Sequence, residues 1–180
     1  MSTTRRNFIA ATGAALVAPD TAGSVFAAPQ NEPDSTVTAL LEKSNQSNAA
    51  LMRGEIDRYR EIVTYSDDFT LMSPFGGEPT HGRDLTPDRW AAMGRFFKNG
   101  TFSQDIVQTY SSPDMVVLAL VEHCTSEVGG LPLQEWQLRV TLVYRREGAE
   151  WHLVHRHADP LSIGITREKA AALARGAVVP

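Results

Sequence analysis

From Phe102 to Ala158 the chain keeps a two-residue rhythm of apolar and polar side chains, broken only by short turns. That period belongs to strands, and it predicts Phe102–Tyr110, Met115–Val128, Leu131–Tyr144 and Trp151–Ala158 as four of them. The breaks are Ser111-Ser112-Pro113-Asp114, Gly129-Gly130 and a tight turn near Gly148, each short enough to join antiparallel neighbours. On the third of these strands Trp136, Leu138, Val140, Leu142 and Tyr144 alternate with Gln137, Arg139, Thr141 and Val143. The apolar set is the buried face, with about 1.5–3 kcal/mol gained per fully buried aliphatic side chain. A meander with one greasy face needs a cover, and the first half of the chain supplies it.

That half reads as helices. Ser35 can cap a helix running to about Arg53, with Val37, Leu40, Leu41, Ser44, Asn48, Leu51 and Met52 on one stripe. Gly54 interrupts it, and Ile56, Tyr59, Ile62 and Val63 mark a second, short helix. Tyr65 to Pro74 reads as a strand, followed by a turn-rich loop from Phe75 to Leu85. Thr86-Pro87-Asp88 opens a third helix, since a hydroxyl cap, a first-turn proline and a first-turn carboxylate each suit a helix N-terminus. Trp90, Met93 and Phe97 share its apolar face, and Asn99-Gly100 is expected to close it. Thr166 to Arg175 reads as a short tail helix. Helices first and antiparallel strands afterwards predict an α+β domain over residues 35–162, with residues 163–180 as a tail.

The N-terminus carries a different signal. Arg5-Arg6-Asn7-Phe8-Ile9, a weakly apolar run to Ala18 and the small-residue end Val25-Phe26-Ala27 resemble a twin-arginine export signal over residues 1–27. Residues 28–34 then form a polar linker, and the expected location is periplasmic or secreted. The apolar run is shorter than the ~20 residues that a membrane span needs, so no membrane anchor is expected once the signal is removed. Removing Arg5, Arg6 and Asp20 from 17 basic and 21 acidic residues leaves 15 and 20. An acidic balance argues against nucleic acid, whose binding rests on Lys and Arg neutralising phosphates. The single cysteine, Cys124, excludes an intrachain disulfide and suits a buried apolar position.

The order of elements, with Asp67-Asp68, the loop Pro74-Phe75-Gly76-Gly77-Glu78-Pro79-Thr80-His81-Gly82-Arg83 and the closing Trp151-x-x-x-His155-x-His157, resembles the nuclear transport factor 2-like superfamily. That group includes SnoaL-like proteins, ketosteroid isomerases and a kinase association domain. The resemblance implies a cone-shaped roll of cystatin-like topology, three helices on a strongly curved, mostly antiparallel sheet, with a pocket at the open end and a homodimer. Carried over residue by residue, the isomerase chemistry fails. Its aspartate base falls on Ser73, its protonated aspartic acid near Val140 and its tyrosine donor near Ser47. Steroid isomerisation is therefore rejected.

The pocket is expected to have Phe75, Trp90 and Trp136 as walls, with Ser73 at the loop. The family pattern turns Val117, Ala119, Val121 and His123 inward, which makes His123 the candidate acid or base, an imidazole suited by its ordinary pKa of about 6.5. The last strand has two readings. A two-residue turn at Glu147-Gly148 puts His155 and His157 inside; a three-residue turn puts Val154, Arg156 and Ala158 there. Family members place ligand contacts on the latter set. His155 and His157 lack the further ligands a metal needs, so neither metal nor cofactor is expected. Two functions fit this reading. One is a lyase, isomerase or hydrolase acting on an apolar small molecule. The other is a non-catalytic ligand-binding or dimeric module, with Arg156 clamping a carboxylate.

Overall fold

The computed structural model describes residues 35–176. The export signal and linker expected over residues 1–34 lie outside the described residues. Helix α1 (Ser35–Met52) turns Val37, Leu40, Ser44, Asn48, Leu51 and Met52 inward, the stripe that its spacing predicts. Gly54, at φ +81°, ends the first helical segment, and a Cβ there would stand 2.8 Å from the Phe97 carbonyl oxygen. Helix α2 (Ile56–Ile62) follows, then strand β1 (Tyr65–Met72) and a two-residue strand β2 (Thr80–His81) that the loop pattern did not announce. Helix α3 (Pro87–Phe96) is capped as expected, with Thr86 Oγ1 accepting from the Arg89 amide at 3.3 Å.

Strands β3 (Phe97–Ser111), β4 (Met115–Val128), β5 (Gln134–Glu147) and β6 (Glu150–Pro160) form the meander. With β1 and β2 they make one six-stranded sheet in the order β2-β1-β6-β5-β4-β3. Only β1 beside β6 is parallel. The fold is thus the α+β arrangement that the order of elements predicts, with the curved sheet that the resemblance implies. Helix α4 (Arg167–Ala174) lies beyond the sheet, its side chains almost all exposed. Among the described residues no helix is long and apolar enough to cross a membrane.

Three expectations are corrected. Asn99-Gly100 does not close α3. The helix passes directly into β3 at Phe97, and Asn99 (φ +54°) and Gly100 lie in a bulge between the pairs Lys98–Glu127 and Thr101–Thr125. Gly100 is there because the backbones crowd it: a Cβ would stand 2.3 Å from the Thr125 carbonyl oxygen and 2.7 Å from that of Met52. Second, β4 shows its other face to the core. Val116, Leu118, Leu120, Glu122 and Cys124 are buried, and Val117, Ala119, Val121 and His123 are the outer set. Both sets are apolar along most of the strand, and the side with the leucines takes the core. Its partners across the ladder are Tyr144, Leu142, Val140, Leu138 and Trp136, all on the expected inner face of β5.

Third, neither turn read for β6, Glu147-Gly148 or the three-residue one, occurs, and each of the two facings holds at one end only. The turn is the two-residue Gly148-Ala149, since Glu147 pairs with Glu150 and Tyr144 with Leu153. The register then shifts, so that Val143 pairs with His155 and Leu142 with Arg156, leaving Val154 as an extra residue. A bulge of this kind reverses the facing of everything after it. Leu153 packs in the core on one side of it, and Arg156 and Ala158 point inward on the other. His155 and His157 therefore sit outside.

Candidate functional site

Between α1, α2, α3 and the concave face of the sheet lies a cavity of about 330 Å³. Its walls are Leu51, Met52, Phe69, Leu71, Leu85, Met93, Phe97, Val128 and Leu138, apolar side chains from every layer of the domain. Apolar walls with a few placed polar groups are the usual make-up of a small-molecule pocket. Phe75 stands at the mouth, 52% exposed, with its ring edge-on to both Phe96 and Trp136 at centroid distances of 5.5 Å. A tight turn sets it there: the Gly76 amide donates to the Ser73 carbonyl at 3.0 Å, and the Phe75 amide to Ser73 Oγ at 3.2 Å.

The polar groups come from five elements, α1, α2, β1, β4 and β6. Arg156 is the one charged side chain among the residues lining the cavity. From β6 it reaches across β5 and donates from both terminal nitrogens to Glu122 of β4, at 2.7 Å each. Glu122 is 1% exposed, so this is a desolvated, forked ion pair of the kind that must be complete to be tolerated. Burial alone would lower the affinity of Arg156 for its proton; the charge and hydrogen bonds of Glu122 outweigh that and hold it above its ordinary value. Tyr59 of α2 and Tyr65 of β1 share a hydroxyl–hydroxyl hydrogen bond of 2.5 Å, and both line the same space. Burial pushes both phenols up, so they stay protonated; one O–H is donated to the other hydroxyl, which leaves a single O–H of the pair for a ligand. Asn48 adds an amide whose nitrogen is already committed to the Ser44 carbonyl at 2.9 Å. Cys124 completes the set as a thiol, pushed up to about 12 by burial and by the charge of Glu122.

Of the expected site residues, Ser73, Phe75, Trp136 and Arg156 line this cavity. The others do not. Trp90 is core, packed behind the two tyrosines at 6.1 and 5.9 Å with Arg60 over its ring. His123 lies on the outer sheet face, its Nε2 3.0 Å from Asp105 of β3, so it cannot serve as acid or base for anything held inside. His155 bonds Thr70 Oγ1 through Nδ1 at 2.7 Å, and His157 pairs with Asp159 at 3.3 Å. Among the described residues no group of three or more His, Cys, Asp or Glu stands close enough to hold a metal ion. The lining contains no histidine, aspartate or glutamate at all. Asp68 is drawn off by Arg145, which grips it at 2.8 and 3.0 Å and depresses its carboxyl strongly.

Glu122 and the tyrosine pair were not foreseen. The trace available was a lone carboxylate in the apolar run Leu120-Val121-Glu122; a charge there must have a buried partner, and Arg156 is the cation facing it.

Comparison with known proteins places this geometry. The profile of the SnoaL-like domain matches residues 41–163. None of the curated proteins compared gives a match. Among solved structures, an assigned dehydratase of the nuclear transport factor 2-like family from Streptomyces avermitilis superposes with a TM-score of 0.59. It is 21% identical, over 73% of this chain and 99% of its own. An assigned scytalone dehydratase from Novosphingobium aromaticivorans gives 0.59 at 10% identity, covering 73% and 90%. A protein with a cystatin-like fold from Caulobacter vibrioides gives 0.56 at 15%, covering 81% and 99%. Likeness at these identities carries the fold and no activity.

Proposed function

Starting from a chain that belongs to the SnoaL-like domain family, we propose that it binds a small, mainly apolar molecule in the cavity, with a polar atom of that molecule directed at Arg156, Tyr59 and Tyr65. The observation that carries this reading is the composition of the lining: one long apolar surface drawn from all layers of the domain, with few hydrogen-bonding groups and a single charged one, Arg156, which Glu122 holds. An apolar body gains by leaving water, and a few fixed donors orient it. A thermal-shift panel of small aromatic ketones and alcohols should raise the melting temperature of the wild-type chain. The same panel should not move Met93→Trp, whose larger side chain fills the space. Equal shifts in both proteins would take the cavity out of the account, and no shift with any compound would end the reading.

A lyase or isomerase reading draws on one observation, the Tyr59–Tyr65 hydroxyl pair next to Arg156, which could polarise a carbonyl oxygen. Similar folds that are named as dehydratases give it company. Proton removal also needs a base, and the lining supplies neither imidazole nor carboxylate, so binding carries the conclusion. Export through the N-terminal signal and pairing of two copies across the outer sheet face belong to the same proposal. Light scattering that returned the mass of a single chain would remove the pairing.

A further inference from the structure

The cavity has one cation, and that cation is already spoken for. An unpartnered arginine at the end of an apolar pocket is an anion trap: its fork matches a carboxylate, and the surrounding low dielectric strengthens the attraction. Here the fork is filled from within the protein. Glu122 takes one hydrogen bond from each terminal nitrogen at 2.7 Å, and it is 1% exposed, so solvent cannot share it. Guanidinium has five N–H donors, and two bonds to Glu122 leave three. These can donate to a neutral oxygen. A second carboxylate would have to lie beside Glu122 on the same guanidinium, where like-charge repulsion in a dry site opposes it. The other polar groups of the lining do not change the balance. Tyr59 and Tyr65 are neutral phenols, Asn48 is an amide, Ser73 a hydroxyl, Cys124 a protonated thiol, and Trp136 a neutral indole whose buried Nε1–H has no hydrogen-bond partner and can donate to an oxygen of either class.

We propose that Glu122 sets the ligand class: by occupying Arg156 it makes the cavity selective for neutral molecules that carry a carbonyl or hydroxyl oxygen, and closes it to carboxylates of the same shape. This rests on the binding reading above and reverses the expectation that Arg156 clamps a carboxylate. Glu122 is a specificity residue in this account, acting on the ligand through Arg156.

The test uses three probes with one ring system: naphthalene, 2-acetonaphthone and 2-naphthoate, titrated by calorimetry near pH 7.5 against the full chain. Wild type should bind the ketone at least tenfold more tightly than the carboxylate. Glu122→Gln keeps the volume and frees the charge of Arg156, and should shift the ratio tenfold or more towards 2-naphthoate. A double variant, Glu122→Leu with Arg156→Met, guards against a fold that fails in Glu122→Gln, because buried ion pairs replaced whole by apolar side chains are tolerated. It should bind naphthalene and lose the advantage that the ketone has over it in wild type. Wild type taking 2-naphthoate as tightly as the ketone overturns the selectivity and leaves the binding reading standing. So does a double variant that keeps the ketone's advantage. Naphthalene and the ketone both failing to bind wild type removes the selectivity and the binding reading together.

Discussion

At the scale of single residues, position decides what each histidine is for. His123, His155 and His157 all lie on the outer face, and each has a polar neighbour there: Asp105, Thr70 and Asp159. The consequence for His155 is a pH effect whose direction is fixed. Partial burial and the neighbouring His157 ring, 6.4 Å away, lower its affinity for a proton below that of a free imidazole. The unfolded chain then binds the proton more readily than the folded one between the ordinary value of about 6.5 and the lower folded value. Stability from this group is therefore complete above about pH 6.5 and is lost as the pH falls through that window. Melting curves from pH 7.5 to 5 should show the decline, and His155→Gln should flatten it. An unchanged slope in the variant would assign the decline elsewhere. His123 was legible as a residue with a task but not as one facing away, because Val117, Ala119 and Val121 are as apolar as a core face needs to be.

At the scale of elements, the alternation located every long strand, although β3 begins at Phe97 and not Phe102, and apolar spacing together with the caps read at Ser35 and Thr86 located the helices. What it could not locate were the points at which the alternation is deliberately broken. Val154 is an ordinary strand residue in composition, so nothing marks it as the extra one; only the demand that Leu153 and Arg156 both face inward does. That single residue decides which of the two readings of β6 holds at each end. Gly100 was visible, but its neighbour Asn99 made the pair look like a helix stop, since the same left-handed backbone serves both purposes. The two roles differ in what a side chain would meet. Gly100→Ala drives a methyl group into two carbonyl oxygens that belong to different elements, and neither can move away cheaply. It should cost at least about 2 kcal/mol in denaturant unfolding, at the upper part of the range for overpacked sites. A cost below about 0.5 kcal/mol, ordinary for an exposed surface position, would show that the bulge relaxes freely.

At the scale of the whole molecule, the domain is a sheet rolled around helices with one end left hollow, and the resemblance read from the loop and the last strand gave that much. The chemistry inside was beyond it, because the Glu122–Arg156 contact spans three strands and depends on a face of β4 that the sequence leaves undecided. The sheet also has a free margin. β3 is 15 residues long and, among the described residues, has no strand paired on its outer side, with Ile106, Val107 and Tyr110 exposed along it. A straight strand of that length would offer its unpaired amides and carbonyls to any other chain, the first step towards fibrous association. The ladder is broken at Asn99-Gly100 and again at Val107, which has no opposite number on β4. Those two bends leave no long straight stretch for a stranger to zip onto. Deleting Val107 would straighten the distal half of the margin, and a concentrated solution of that variant should turn turbid on standing while the parent stays clear.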